Sequence, residues 1–243
     1  LRQLLRLLTV YFYNIMSDKP IEQWRIRSFI RRQGRVTAGQ KMALEYYWDD
    51  YCLDPQQPLN LETAFANTAP IIVEIGFGNG ESLAQMAENN PQNNYLGIEV
   101  HRPGVGHLLR LLAERNIDNV RVFHHDAIDI LQQKIPDNTL AGIHLFFPDP
   151  WHKRRHHKRR IVRPSFVELL EKKLQSGGYF HAATDWEHYA KEMLKTLSAS
   201  TRLKNMAEDN RFCPRPDYRL LTKFEKRGLR LGHGVWDLIF TRL

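Results

Sequence analysis

The chain has 243 residues, of which 42% are hydrophobic and 26% charged, with a formal net charge of +8. That length and apolar content suit one α/β domain with appendages and exclude a disordered or fibrous chain. Cys52 and Cys213 are the two cysteines; so few, so far apart, exclude a disulfide framework and a Cys-rich zinc site and fit a reducing, cytoplasmic setting, and no apolar run reaches the roughly 18 residues needed to span a bilayer.

Residues 1–15, LRQLLRLLTVYFYNI, lack a small-residue cleavage site and match a secretory signal poorly. Met16, followed by SDKP, reads as a start, so residues 1–15 are expected to be an upstream extension, with a short amphipathic helix as the alternative. Residues 17–42 are basic, with Arg25, Arg27, Arg31, Arg32, Arg35 and Lys41, and are expected to be extended or only locally ordered. The expected division is a leader and basic arm over 1–42 and a single domain over 43–243.

Residues 43–69 suggest a short helix, a loop with Pro55 and Pro58, and another short helix. From residue 70 strands and helices alternate. PIIVEIG is a β-branched run read as a buried strand, with GESLAQMAENN as its helix. YLGIEV precedes the helix PGVGHLLRLLAERN, and VRVFHHD precedes AIDILQQKI. AGIHLFF precedes RPSFVELLEKKLQSGG, whose Gly177 and Gly178 read as a helix end, and YFHAATD precedes WEHYAKEMLKTLSAS. GVWDLIFTR is a last strand. Such alternation predicts a doubly wound, mostly parallel sheet that binds ligands at the carboxyl ends of its strands.

The first strand runs into Glu74-Ile75-Gly76-Phe77-Gly78-Asn79-Gly80. Glycines there allow a sharp turn and close approach of backbone to ligand. The spacing is GxGxG rather than GxGxxG, and Glu74 just before it would oppose a pyrophosphate on the helix N-terminus. S-adenosylmethionine carries an ammonium and a sulfonium and no phosphate, so acids suit it. Glu99 ends the second strand, at the offset where doubly wound folds place an acid on ribose hydroxyls. Asp126 ends the third, either meeting the adenine edge or capping the next helix.

The fourth strand leads into LFFPDPWHKRRHHKRR. Between Asp137 and Glu168, Asp149 is the only acid, and Lys153 to Arg163 carries seven Lys/Arg. A basic excess so concentrated points to a polyanion, with a solvated basic face as the alternative. Pro148 and Pro150 stiffen the exit from the strand and hold Asp149 extended. Trp151 either stacks on a base or, as is commoner, packs beneath the loop. His152 and His156 have zinc-like spacing, but the cations around them would repel a metal, so no metal is expected and the histidines are read as extending the basic surface as pH falls.

EIGFGNG resembles the motif of class I S-adenosylmethionine-dependent methyltransferases. FPDPWHKRRHHKRR, ATDW, TKFE and RLGHGVWD, together with the arm RIRSFIRRQGR, resemble the bacterial tRNA (guanine-N7-)-methyltransferases over roughly residues 25–242. The resemblance implies a seven-stranded, Rossmann-like sheet with an antiparallel final strand, and methyl transfer to a guanosine N7 in the tRNA variable loop by a monomer or weak homodimer. It implies that Glu74, Glu99, Asp126 and Asp149 line the cofactor side, with Asp149 catalytic. It further implies that Lys153, Asp185 and Thr222, Lys223, Phe224 and Glu225 contact the substrate, and that Arg155, His156, His157, Lys158, Arg159 and Arg160 touch RNA.

Guanine N7 bears no proton in the neutral base, so no general base is needed before attack. The protein must align N7 with the methyl group and stabilise the cation that forms. Two other readings stand beside this one. An amino-methyltransferase acting on adenine or a protein amide often carries D/N-P-P-Y/F/W after the fourth strand, whereas here the order is Pro148-Asp149-Pro150-Trp151. A non-catalytic RNA-binding protein would have no use for the glycine loop and its acids.

Overall fold

Five consecutive buried residues, Ile71–Ile75, form strand β1, and five more, Asn94–Ile98, form β2. Runs without polar alternation belong to strands covered on both faces. The computed structural model describes residues 26–29, 34–221, 225 and 234–243. The expectations for residues 1–15, for Met16 and for Thr222, Lys223 and Phe224 lie outside those residues.

The remaining strands are β3 (Val120–Phe123), β4 (Leu140–Phe146), β5 (Leu174–Thr184), β6 (Leu203–Asn205) and β7 (Trp236–Arg242). They form one seven-stranded sheet in the order β3-β2-β1-β4-β5-β7-β6. The first five strands run parallel, and β7 is antiparallel to both β5 and β6. The sheet is therefore mixed. The strand order reverses between β1 and β4, and a crevice opens at such a reversal.

Helices α1 (Ala38–Tyr46), α4 (Glu81–Asn89) and α5 (Arg102–Arg115) cover one face, where Ile72, Tyr95, Val120 and Val122 meet Leu83, Leu108 and Leu112. On the other face Val73, Ile75, Ile98, Ile143 and Phe180 pack with α6 (Ala127–Gln133), α7 (Pro164–Lys173) and α8 (Glu187–Ser198). Two short helices, α2 (Trp48–Tyr51) and α3 (Leu61–Phe65), precede the sheet.

Three elements differ from expectation. Helix α1 crosses the division drawn at residue 42: Thr37 and Gln40 form a reciprocal capping box at its start. It also lies so close to α5 that a Cβ on Gly106 would sit 2.8 Å from the Gln40 carbonyl. Helix α7 stops at Lys173, and the stretch taken as its end belongs to β5. Leu174 pairs with Leu140 while Tyr179 pairs with Gly142, so the residues between bulge out of the ladder. The three-residue β6 carries no apolar signature, since its stability comes from pairing with β7.

Candidate active site

The glycine loop follows β1. Gly76, Gly78 and Gly80 have φ of 73°, 59° and 75°, a region side chains other than glycine rarely occupy. The start of α5 presses on this loop, since a Cβ on Gly104 would lie 2.1 Å from the Gly78 carbonyl oxygen. Glu99 closes the turn from the neighbouring strand. Its Oε2 accepts from the Gly78 N–H at 2.9 Å, and its Oε1 accepts from Val100 N–H at 2.6 Å and His101 N–H at 2.9 Å. Three amides thus fix a carboxylate with roughly four lone-pair sites, leaving room for one more donor.

Glu74 lies beneath the loop, on the face shared with Ile72. It is 3% exposed, and its Oε2 is buried without a hydrogen-bond partner. Burial, with nearby Glu99 as the second cause, pushes its carboxyl up to about 8. A free glutamate ionises near 4.5. Across that interval the native state keeps a proton the unfolded state has lost, so this group lowers stability as pH rises. Glu74→Gln removes the effect. The expected result is a ligand-free variant that gains in melting temperature over wild type from about pH 5 to about pH 8. A difference that does not vary with pH would show that Glu74 does not titrate there.

A cleft of about 230 Å³ lies over these strand ends. It is lined by Gly76, Glu99, His125, Asp126, Phe147 and Asp149 among others, and by Ser28 and Phe29 of the arm. Among the described residues its lining contains no Lys or Arg. Asp126 caps α6, its Oδ1 accepting from the Ile128 N–H at 3.0 Å, and it also lines the cleft. His125 Nδ1 is buried without a hydrogen-bond partner. Glu74 is not part of the lining, which takes its acids from Glu99, Asp126 and Asp149. These acids, with no cation among the described lining residues, suit a ligand with positive charge and hydrogen-bonding hydroxyls, not a phosphate.

Asp149 sits exposed at the mouth of this cleft. Its loop is strained at both ends, with Phe147 at φ 51° and Trp151 at φ 48°. At the near end, the Phe147 N–H donates to the Ala183 carbonyl at 2.7 Å. At the far end, Trp151 packs: its Nε1–H donates to the Ser28 carbonyl at 3.2 Å, and the Arg159 guanidinium lies 5.1 Å above its ring. Residues Arg154–Arg159 then form a 3₁₀ turn.

That turn divides the basic run. Arg155 and Lys158 are exposed, and His156, His157 and Arg159 are half-buried. Arg160, expected to touch RNA, is 0% exposed. Its Nε–H donates to the Pro150 carbonyl at 2.9 Å, Nη1 pairs with Glu192 of α8, and the guanidinium lies 4.7 Å over the Tyr189 ring. It is a strut for the Asp149 loop, because α8 supplies the acid and ring that make its burial tolerable. Desolvation, then Arg155, Arg159, Lys153 and Lys158, holds His156 below the ordinary histidine range. It gains charge only at lower pH than expected. His152 packs edge-on against Trp186 and His156 against Trp151, so the two histidines diverge. Among the described residues no group of three His, Cys, Asp or Glu side chains is placed to hold a metal.

On the substrate side Lys153 and Asp185 are exposed, one beginning the basic turn and the other following β5. Glu225 is buried, and Arg219 holds both its carboxylate oxygens at 2.7 and 2.8 Å. Sequence reasoning missed Arg219, the strut role of Arg160, the orphaned His125 and the arm residues Ser28 and Phe29. Of these only His125 carried a signal, its place at a strand end beside Asp126.

A family model described as "Putative methyltransferase" matches residues 68–238. A protein of Hydrogenovibrio crunogenus named tRNA (guanine-N(7)-)-methyltransferase is 52% identical over 231 residues, 95% of this chain and 96% of its own length. Proteins of the same name from Yersinia enterocolitica and Methylococcus capsulatus are 55% and 56% identical over 90% of this chain, covering 92% and 94% of their own lengths. The 16S rRNA methyltransferase KamB shares the fold at a TM-score of 0.53 and 12% identity, over 77% of this chain and 95% of its own. The strand order, the glycine loop with its acids and the close relatives agree: this chain belongs to the tRNA (guanine-N7-)-methyltransferase family.

Proposed function

We infer that this protein transfers the methyl group of S-adenosylmethionine to N7 of a guanosine in the variable loop of tRNA. One observation carries this: a cleft whose described residues include acids and no Lys or Arg opens onto Asp149, and a basic turn begins a few residues beyond it. Glu74, Glu99 and Asp126, with Gly76, Gly78 and Gly80, would hold the donor. When bound, that donor supplies an electrophilic methyl group on a sulfonium. Glu99 would accept from a hydroxyl, and His125 and Asp126 would meet the base, while Glu74, outside the cleft lining, would add negative charge once the cation of the donor draws off its proton. Asp149 would stabilise the positive charge that grows on guanine as N7 is alkylated, and needs to remove no proton first. Asp185 and Lys153, exposed on the same side, would orient the guanine.

Incubation of the purified protein with unmodified tRNA and methyl-labelled donor, followed by nucleoside analysis, tests the reading. Label in 7-methylguanosine is expected. Label in adenine would select the amino-methyltransferase reading, and no transfer the non-catalytic one.

Arg155, Lys158 and Arg159, with His156 and His157, would contact tRNA phosphates, which give affinity and position rather than base choice. Affinity for tRNA is therefore expected to fall steeply with salt. Arg155→Glu with Lys158→Glu should weaken binding and flatten the log–log salt dependence by about one unit per lost contact. An affinity that is level between low and moderate salt would exclude phosphate-dominated binding. We place the protein in the cytoplasm with its tRNA, as a monomer or weak homodimer.

A further inference from the structure

Arg219 and Glu225, from the stretch between β6 and β7, join Asp237 of β7 in a buried ionic cluster that the chemistry above does not use. Arg219, 1% exposed, lies at its centre. Its Nε–H donates to Asp237 Oδ1 at 2.6 Å and Nη2 to Asp237 Oδ2 at 2.9 Å. Nη1 and Nη2 donate to Glu225 Oε2 and Oε1 at 2.8 and 2.7 Å. One planar fork thus grips two carboxylates at once, which a lysine cannot reproduce. The same guanidinium lies 5.7 Å from the Phe147 ring, at the root of the Asp149 loop.

The cluster is tied to the sheet from both sides. His181 Nε2 lies 2.7 Å from Asp237 Oδ1, and the Tyr218 hydroxyl lies 2.9 Å from His181 Nδ1. With Asp237 ionised, that pattern assigns the His181 proton to Nε2. Asp237 pairs in register with Ala183, the residue whose carbonyl accepts from the Phe147 N–H. Arg219 therefore joins strand β7, Glu225 and the root of the Asp149 loop. A buried ion cluster is a weak source of stability, because desolvation offsets the attraction, and fixing geometry is its better attested use.

We propose that Arg219 is a positioning residue for methyl transfer, and that Glu225 serves as the anchor Arg219 grips rather than as a contact to the guanine. The role rests on the guanine-N7 reading above. Held this way, Glu225 keeps a set position relative to Asp149. Two carboxylates gripped by one guanidinium make each member depend on the others. The cleft that would take the methyl donor is lined by none of Arg219, Glu225 or Asp237.

The test compares Arg219→Lys, Glu225→Gln and their double variant with wild type. It measures kcat and KM for tRNA well below the melting temperature, per molecule shown folded by circular dichroism, and S-adenosylhomocysteine affinity by calorimetry. Positioning predicts a loss of at least about tenfold in kcat/KM for tRNA in each single variant, with ligand affinity within about twofold. It also predicts that the double variant is no worse than the poorer single one. Arg219→Lys within about twofold of wild type, additive losses, or a parallel fall in ligand affinity would overturn it. Should Arg219→Lys not fold, Asp237→Asn replaces it. Asp237 is 2% exposed and takes Arg219 on both its carboxylate oxygens, so a tRNA-specific loss supports positioning and wild-type turnover overturns it. A wild-type enzyme that leaves tRNA guanine unmethylated overturns the guanine-N7 reading and this role together.

Discussion

Asp149→Ala is expected to keep donor binding measurable while methyl transfer to tRNA falls by roughly two to three orders of magnitude. The loop geometry supports the separation. Asp149 is exposed, so its loss opens no cavity and leaves no buried partner unsatisfied. Pro148, Pro150 and the backbone bond from Phe147 to Ala183 hold the loop without the carboxylate. Glu99 and Asp126, which would hold the donor, are untouched by the substitution. What disappears is the negative charge at the cleft mouth, where a guanine turning cationic would lie. Asp149→Asn divides the role further, since it keeps one acceptor and removes the charge. A loss in Asn nearly as deep as in Ala identifies the charge as the larger contribution. Single-turnover rates in Asp149→Ala near those of wild type would remove the residue from the mechanism.

The placement of Glu99 and Asp126 in the cleft lining was legible because each falls at the end of a successive strand, and strand ends can be read from apolar runs and the turns that follow. Neither needed tertiary information beyond the parallel order of the sheet, whereas the burial of Glu74 outside the lining had no such signal. The Asp149 loop was legible for the same reason, helped by two prolines that restrict its backbone. Arg160 was not. In sequence it is one cation among seven, and only the packing of α8 brings Glu192 and Tyr189 to it. Glu225 was legible as part of a motif but not in its contacts, because its partner Arg219, six positions earlier, lies in a bend that no sequence periodicity marks. The bulge in β5 was mistaken for a helix end because paired glycines suit both. The short helix expected after residue 42 starts earlier, at Ala38, and that start was hidden by the charge of the arm, although Thr37 and Gln40 carry the spacing of a capping box.

Arg160→Ala gives the sharpest test of the divided basic run. The variant should lose about 2–4 kcal/mol of stability, the range for breaking a buried charged network with partial relief from solvent. Glu192 is 36% exposed, so water screens much of its lost partner. The larger loss is expected at the Pro150 carbonyl, which gives up its donor, and over the Tyr189 ring, which gives up its cation. For a domain of this size the melting temperature should fall by about 10 °C. Transfer should fall in the folded fraction as well, because Pro150 adjoins Asp149 and its tether is gone. Arg155→Glu with Lys158→Glu should behave the opposite way, melting like wild type while binding tRNA weakly. If Arg160→Ala instead melts within about 1 °C of wild type and loses only salt-sensitive tRNA affinity, then Arg160 leaves its pocket to meet RNA, and the strut assigned to it here is wrong.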